Sequence, residues 1–178
     1  MKKIAILLVS LVVFSSCEEV TEFNTPALQA MNGEELFRAD EPMAVLNENG
    51  SVTLYGSDEF GTLEIKIGSA TPGTYVFGEN TATIATYSYI ADGMSVFYST
   101  TIMDTEIGQG EVVIYPADHP KAGLPGTISG EFNFRAHLTN DNPFVEPEIY
   151  FHHGWFYNLP LGTSNPTIPE IPEDGTEE

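Results

Sequence analysis

Residues Thr127–Leu138 read TISGEFNFRAHL. Phe132, Phe134, Ala136 and Leu138 fall on one side of an extended chain, and Glu131, Asn133, Arg135 and His137 on the other. A period of two marks a strand with one face on a core and one in water. Leu63, Ile65 and Ile67 alternate with Glu64 and Lys66 in the same way. Similar β-prone runs recur along the chain: SVTLYG, TLEIKIG, TYVFG, TATIATYSYI, MSVFYSTT, GEVVIY and PEIYFHHGWFY.

Turn chemistry separates these runs. Asn32-Gly33, Asn49-Gly50 and Asp92-Gly93 supply the positive φ angles of tight hairpins. Pro72-Gly73 and Pro125-Gly126 suit wider turns. No segment reads as a crossover helix. A short helix has room only at Gly33–Arg38, where a strand is the better reading. The expectation is an all-β domain, an antiparallel meander of roughly nine or ten strands forming a β-sandwich or a lipocalin-like barrel. Pattern alone leaves sandwich and barrel open, and there is no internal repeat.

The ends read differently. Lys2 and Lys3 precede an apolar run, Ile4 to Phe14, and small residues follow. That is the layout of an export signal. As a helix the run would rise only about 16 Å, roughly half a bilayer core. Residues 1–16 are expected to be removed, 17–26 to form a tether, 27–162 to fold, and 163–178 to stay disordered. The tail, ending TIPEIPEDGTEE, has no aromatic residue whose burial could offset its ordering entropy.

The single cysteine, Cys17, rules out an internal disulfide framework and a Cys-Cys zinc site. It follows Phe14-Ser15-Ser16 at the end of the apolar run. That box resembles a bacterial lipoprotein signal, in which the thiol takes a diacylglycerol and cleavage before it frees an amine for further acylation. Two or three acyl chains anchor durably, whereas one is marginal. Glu18-Glu19 resembles the acidic signal that sends Bacteroidota lipoproteins to the cell surface, and reads equally well as an acidic linker. The expected place is the outer membrane, lipid-anchored through Cys17, with either leaflet open.

Asp plus Glu number 26 against 6 Lys plus Arg. Such a surface repels phosphate backbones, which excludes nucleic acid as a partner. Its first consequence is solubility, and its second is attraction of cations or a basic partner. The expected partners are the membrane, through Cys17, and an envelope protein or glycan.

The order NGEELFRA, GSVTLYGSDEFGTLEIKIG, PGTYVFG, GEVVIYPAD, PGTISGEFNFRA and HHGWFYNLPL is similar to a Bacteroidota lipoprotein domain family of unknown function. The resemblance covers about Leu28 to Leu161 and implies class and location only. It brings no activity, cofactor or catalytic residue.

His152, His153 and Trp155 form the most suggestive cluster, and His152 and Trp155 are the candidate ligand-binding residues. Strand neighbours point to opposite faces, so the two imidazoles are not expected to chelate one metal. If the last two long runs form a hairpin, His137 lies near its open end and one of the pair faces Asn133 or Glu131. Trp155 offers a platform for a sugar ring, although burial is the commoner fate of such a side chain. Asp118-His119-Pro120 reads as a turn. Asp104–Glu111 lacks the ligand alternation of a calcium loop. No catalytic motif, metal set or cofactor fingerprint stands out. A non-enzymatic binding or structural module is the leading expectation. A barrel carrying an apolar ligand among Tyr87, Tyr89, Phe97 and Tyr98 is the alternative, and an enzyme comes third.

Overall fold

The computed structural model describes residues 26–78, 82–102, 105–106, 109–140 and 142–163. The expected export signal, Cys17, nearly all of the expected tether and the tail beyond Thr163 lie outside the described residues.

The stretch 127–138 forms one strand, β12 (Thr127–Leu138), antiparallel to β13 (Glu148–Gly162). Phe132, Phe134 and Ala136 point inward and are buried, while Glu131 and Arg135 are exposed. β1 (Ala27–Asn32) pairs with the other edge of β13 and carries β2 (Glu35–Arg38) outside it. On the far edge of β12 lie β11 (Gln109–Ile114) and β6 (Gly73–Val76). One layer thus runs β2-β1-β13-β12-β11-β6.

The second layer is β3 (Met43–Leu46), β4 (Val52–Ser57), β5 (Gly61–Ile67), β7 (Ile84–Ala91) and β8 (Met94–Ser99), in that order. Two corners join the layers. Leu161 and Gly162 run parallel beside Ala44 and Val45, and His137 and Leu138 pair with Ser99 and Tyr98. The ladder from β13 through β3, β4, β5, β7, β8 and β12 therefore returns to β13. A sandwich closed at two corners is also a flattened barrel, so both expected shapes describe part of it. A separate ladder joins β9 (Thr101–Ile102) and β10 (Thr105–Glu106).

The chain is all-β, and no helix occurs among the described residues. Two details depart from expectation. The main sheet has 11 strands and is not a simple meander: β6 leaves the second layer to pair with β11, and β3 lies parallel to β13. The extra strands come early. ALQAMN, ELFR and MAVL hold one β-branched residue, Val45, so propensity is nearly silent there and pairing onto β13 and β4 makes the strands.

Aromatic rings fill the space between the layers. Phe37 of β2 meets Tyr87 of β7 edge-on at 6.1 Å, and Tyr87 meets Phe151 of β13 at 5.2 Å. Phe151 stacks on Phe134 at 4.9 Å. Each fully buried ring contributes about 1.5–3 kcal/mol relative to exposure. Tyr89 and Tyr98 join the same core, stacked at 6.3 Å. Phe97 points the opposite way and is 49 % exposed. The four aromatics of the carrier reading therefore do not share one lining.

Candidate functional site

The outer face of the β11-β12-β13 sheet carries Glu111, Glu131, Asn133, His153 and Trp155 side by side. Its shape follows from a bulge. Phe132 pairs with Gly154 and Phe134 with Phe151, so His152 and His153 together oppose Asn133. The extra residue is accommodated at His153, whose φ is 49°. His is among the residues that visit this left-handed region most readily. The bulge cancels the expected alternation: His152 and His153 both reach the outer face, with ring centroids 4.8 Å apart. The prediction that they point to opposite faces is overturned because strand parity holds only where the ladder is regular.

The two histidines still have different jobs. His152 is half-buried, stacks on Tyr150 at 5.1 Å, and places Nε2 2.9 Å from the Gly33 carbonyl oxygen. An Nε2–H donating to that oxygen ties the β1–β2 turn to β13, a tie repeated by Gly33 N–H to Tyr150 O at 3.1 Å. His153 is exposed and lines a shallow groove of about 180 Å³.

Glu111 and Val113 of β11, Glu131 and Asn133 of β12, and Gly154 of β13 line the same groove. Gly154 is glycine because the buried Phe132 ring, on the core side of the sheet, lies where its Cβ would stand. The Tyr115 hydroxyl donates to Glu131 Oε2 at 3.1 Å. Burial first, and this bond to Glu131 second, hold the Tyr115 hydroxyl above its ordinary pKa. Glu131 sits in register with Trp155 across the β12–β13 ladder. Trp155, the single tryptophan of the chain, is 39 % exposed rather than buried. Phe156, its neighbour, takes the core position instead.

Further along the hairpin, Arg135 Nη1 meets Glu148 Oε1 at 2.7 Å, and Arg135 Cζ lies 4.9 Å from the Tyr150 ring centre. His137 Nε2 stands 3.6 Å from Glu148 Oε2. His137 therefore sits at the connected end of the hairpin, not the open end. Asp118-His119-Pro120 is a turn, as read: His119 N–H donates to Pro116 O, and the imidazole stacks on Tyr115 at 4.0 Å. Part of Asp104–Glu111 lies outside the described residues. Among the described residues, no three His, Cys, Asp or Glu side chains converge to hold a metal.

Of the candidate residues, Trp155 flanks the groove and His152 supports it from beside Gly33. Glu131, Asn133 and one histidine do meet, and that histidine is His153. Glu111 was missed. Its outward position on GEVVIY was legible, but its register against Asn133 was not.

An arrangement of two carboxylates, an amide, an imidazole and an exposed indole on a flat sheet offers hydrogen-bond acceptors and donors beside an aromatic face. It suits adsorption of a polar ligand with a flat apolar side. No curated protein and no solved structure matches the chain. A family model does, over residues 24–160, and the chain belongs to that family, described as a domain of unknown function (DUF6252).

Proposed function

We propose that the domain is a non-catalytic binding module, held at the outer membrane by acyl chains on Cys17, that takes its ligand on the outer face of β11-β12-β13. One observation carries the binding reading: Trp155 stands exposed in register with Glu131, at the rim of the groove shared by Glu111, Asn133 and His153. Exposing an indole on a β-sheet forgoes about 2 kcal/mol of burial, a cost offset where a ligand covers it. The open groove leaves its carboxylates in water, which favours holding over turnover. An envelope glycan fits this surface, with a sugar face on the indole and hydroxyls on the carboxylates and amide.

The anchor reading rests on Phe14-Ser15-Ser16-Cys17 after an apolar run. The family resemblance to Bacteroidota lipoproteins supports it.

Trp155 reports on its own site, being the only indole. Titrating the full mature chain with envelope oligosaccharides should shift and quench its emission. Asn133→Ala with Glu131→Gln should weaken the response by about tenfold, roughly 1.4 kcal/mol. Oligosaccharide binding by calorimetry that survives Trp155→Ala at full strength would remove the groove from the proposal. Palmitate label in Cys17→Ser cells equal to that of the parent would remove the anchor.

A further inference from the structure

Three of the large side chains left in water gather on the outer face at one end of the second layer. Ile90 and Phe97 both point outward from the β7–β8 hairpin, and the pairings Ser88–Phe97 and Ile90–Ser95 make them diagonal neighbours. Phe60 precedes Gly61, which pairs with Tyr89, so the β4–β5 turn brings Phe60 beside Ile90. Phe60 is 69 % and Ile90 62 % exposed. The connection leaving β12 is fixed to this region by two bonds from Thr139 to the Phe97 carbonyl, at 2.9 and 3.1 Å.

We propose that this patch docks a protein partner whose apolar surface is ringed by lysine and arginine. Charge decides the occupant. Glu59 precedes Phe60 and Asp92 follows the Ile90–Ala91 end of β7, both exposed, and Asp58 caps the β4–β5 turn by accepting from the N–H groups of Phe60 and Gly61. A second copy would bring the same carboxylates against these, in a chain of net charge −20. An anionic bilayer meets the same repulsion. Position argues against the bilayer too. The chain enters β1 at Ala27, opposite Tyr157, whereas the patch lies at the end of β13 near Glu148. The strand between them spans about 30 Å. The tethered end and the docking end are therefore opposite ends of the molecule.

The test uses the full mature chain and a synthetic peptide of about ten alternating leucines and lysines, long enough to cover a strand. Its glutamate counterpart is the control, and anisotropy is the readout. The lysine peptide should bind, and the glutamate peptide should bind at least about tenfold more weakly. Ile90→Ser with Phe97→Ser should cost about tenfold, with Phe60→Ser as the alternative if that pair misfolds. Glu59→Gln with Asp92→Asn should weaken binding more than Glu48→Gln with Asp118→Asn, which removes equal charge elsewhere. Equal losses from the two charge pairs overturn the proposal, because binding would then be unspecific. A concentration-dependent dimer that Ile90→Ser dissolves, or sedimentation with phosphatidylcholine vesicles that it abolishes, also overturns it. The Trp155 emission response to oligosaccharides should be unchanged in the Ile90→Ser, Phe97→Ser chain, so this proposal and the groove reading fail separately.

Discussion

Asn158 concentrates several constraints in one side chain. It is buried in the left-handed region at φ 53°, and its Oδ1 accepts from Leu124 N–H at 2.7 Å. That bond pins the Pro116–Gly126 connection to β13. Gly123, at φ +84°, packs so closely that a Cβ would overlap Asn158 Oδ1 and Ser129 Oγ. Gly123→Ala is expected to cost on the order of 2–3 kcal/mol, combining backbone strain with overlap, and a urea midpoint measures it. Tyr87 and Tyr98 make a pH prediction. Burial pushes the Tyr87 hydroxyl up from 10 to about 12, helped by the Asp58 charge, and pushes Tyr98 up further. A raised folded pKa contributes stability below the unfolded value of about 10 and loses it as pH climbs through the folded value. The denaturation midpoint should therefore fall between about pH 10 and 12, and Tyr87→Phe should flatten that fall. Absorbance at about 295 nm gives the check, since simultaneous ionisation of all tyrosines in a folded chain contradicts it.

At the scale of the element, the bulged strand β13 is the informative one. His153 at φ 49° is tolerable for His, better for Gly and poor for a β-branched residue. His153→Gly should leave stability within about 0.5 kcal/mol, whereas His153→Val should cost roughly 1–2 kcal/mol. Equal midpoints for the two variants in guanidinium would mean the bulge does not depend on this backbone angle. The sequence announced the strand through PEIYFHHGWFY, and its alternation is correct up to Phe151. Beyond it, a ladder with one extra residue per bulge resets the parity, and parity is all a pattern can read. The same limit explains why Trp155 was expected inside and lies outside. WFY offers three aromatic candidates for alternating positions, and only register chooses Phe156 for the core.

For the whole molecule, closure rests on the strand ends. Leu159 is buried, and Leu161 and Gly162 make the parallel corner with β3. Truncation after Asn158 should unfold the domain or lower its Tm steeply, because it removes a core leucine worth about 2–4 kcal/mol and opens a corner. Truncation after Thr163 should leave Tm unchanged within about two degrees, as expected for an acidic Pro-rich tail. Calorimetry separates the two. The pairings of β13 with β1, the longest, and with β3 join the two ends of the domain, so folding should be slow for the size.

By itself the sequence determined the class of secondary structure, the outward face of β12 and the positions of most turns. It also supplied the strongly acidic charge, 26 Asp plus Glu against 6 Lys plus Arg. These are local or additive properties: side-chain period, turn conformation and summed charge need no knowledge of distant neighbours. Only the tertiary structure decided that β13 separates β1 from β3, that two histidines share a face, and that Glu111 joins Glu131 beside Trp155. Likewise, it gathered Phe60, Ile90 and Phe97 at one end. Each depends on register between strands far apart in the chain, which is fixed by packing of the whole core rather than by any stretch within it.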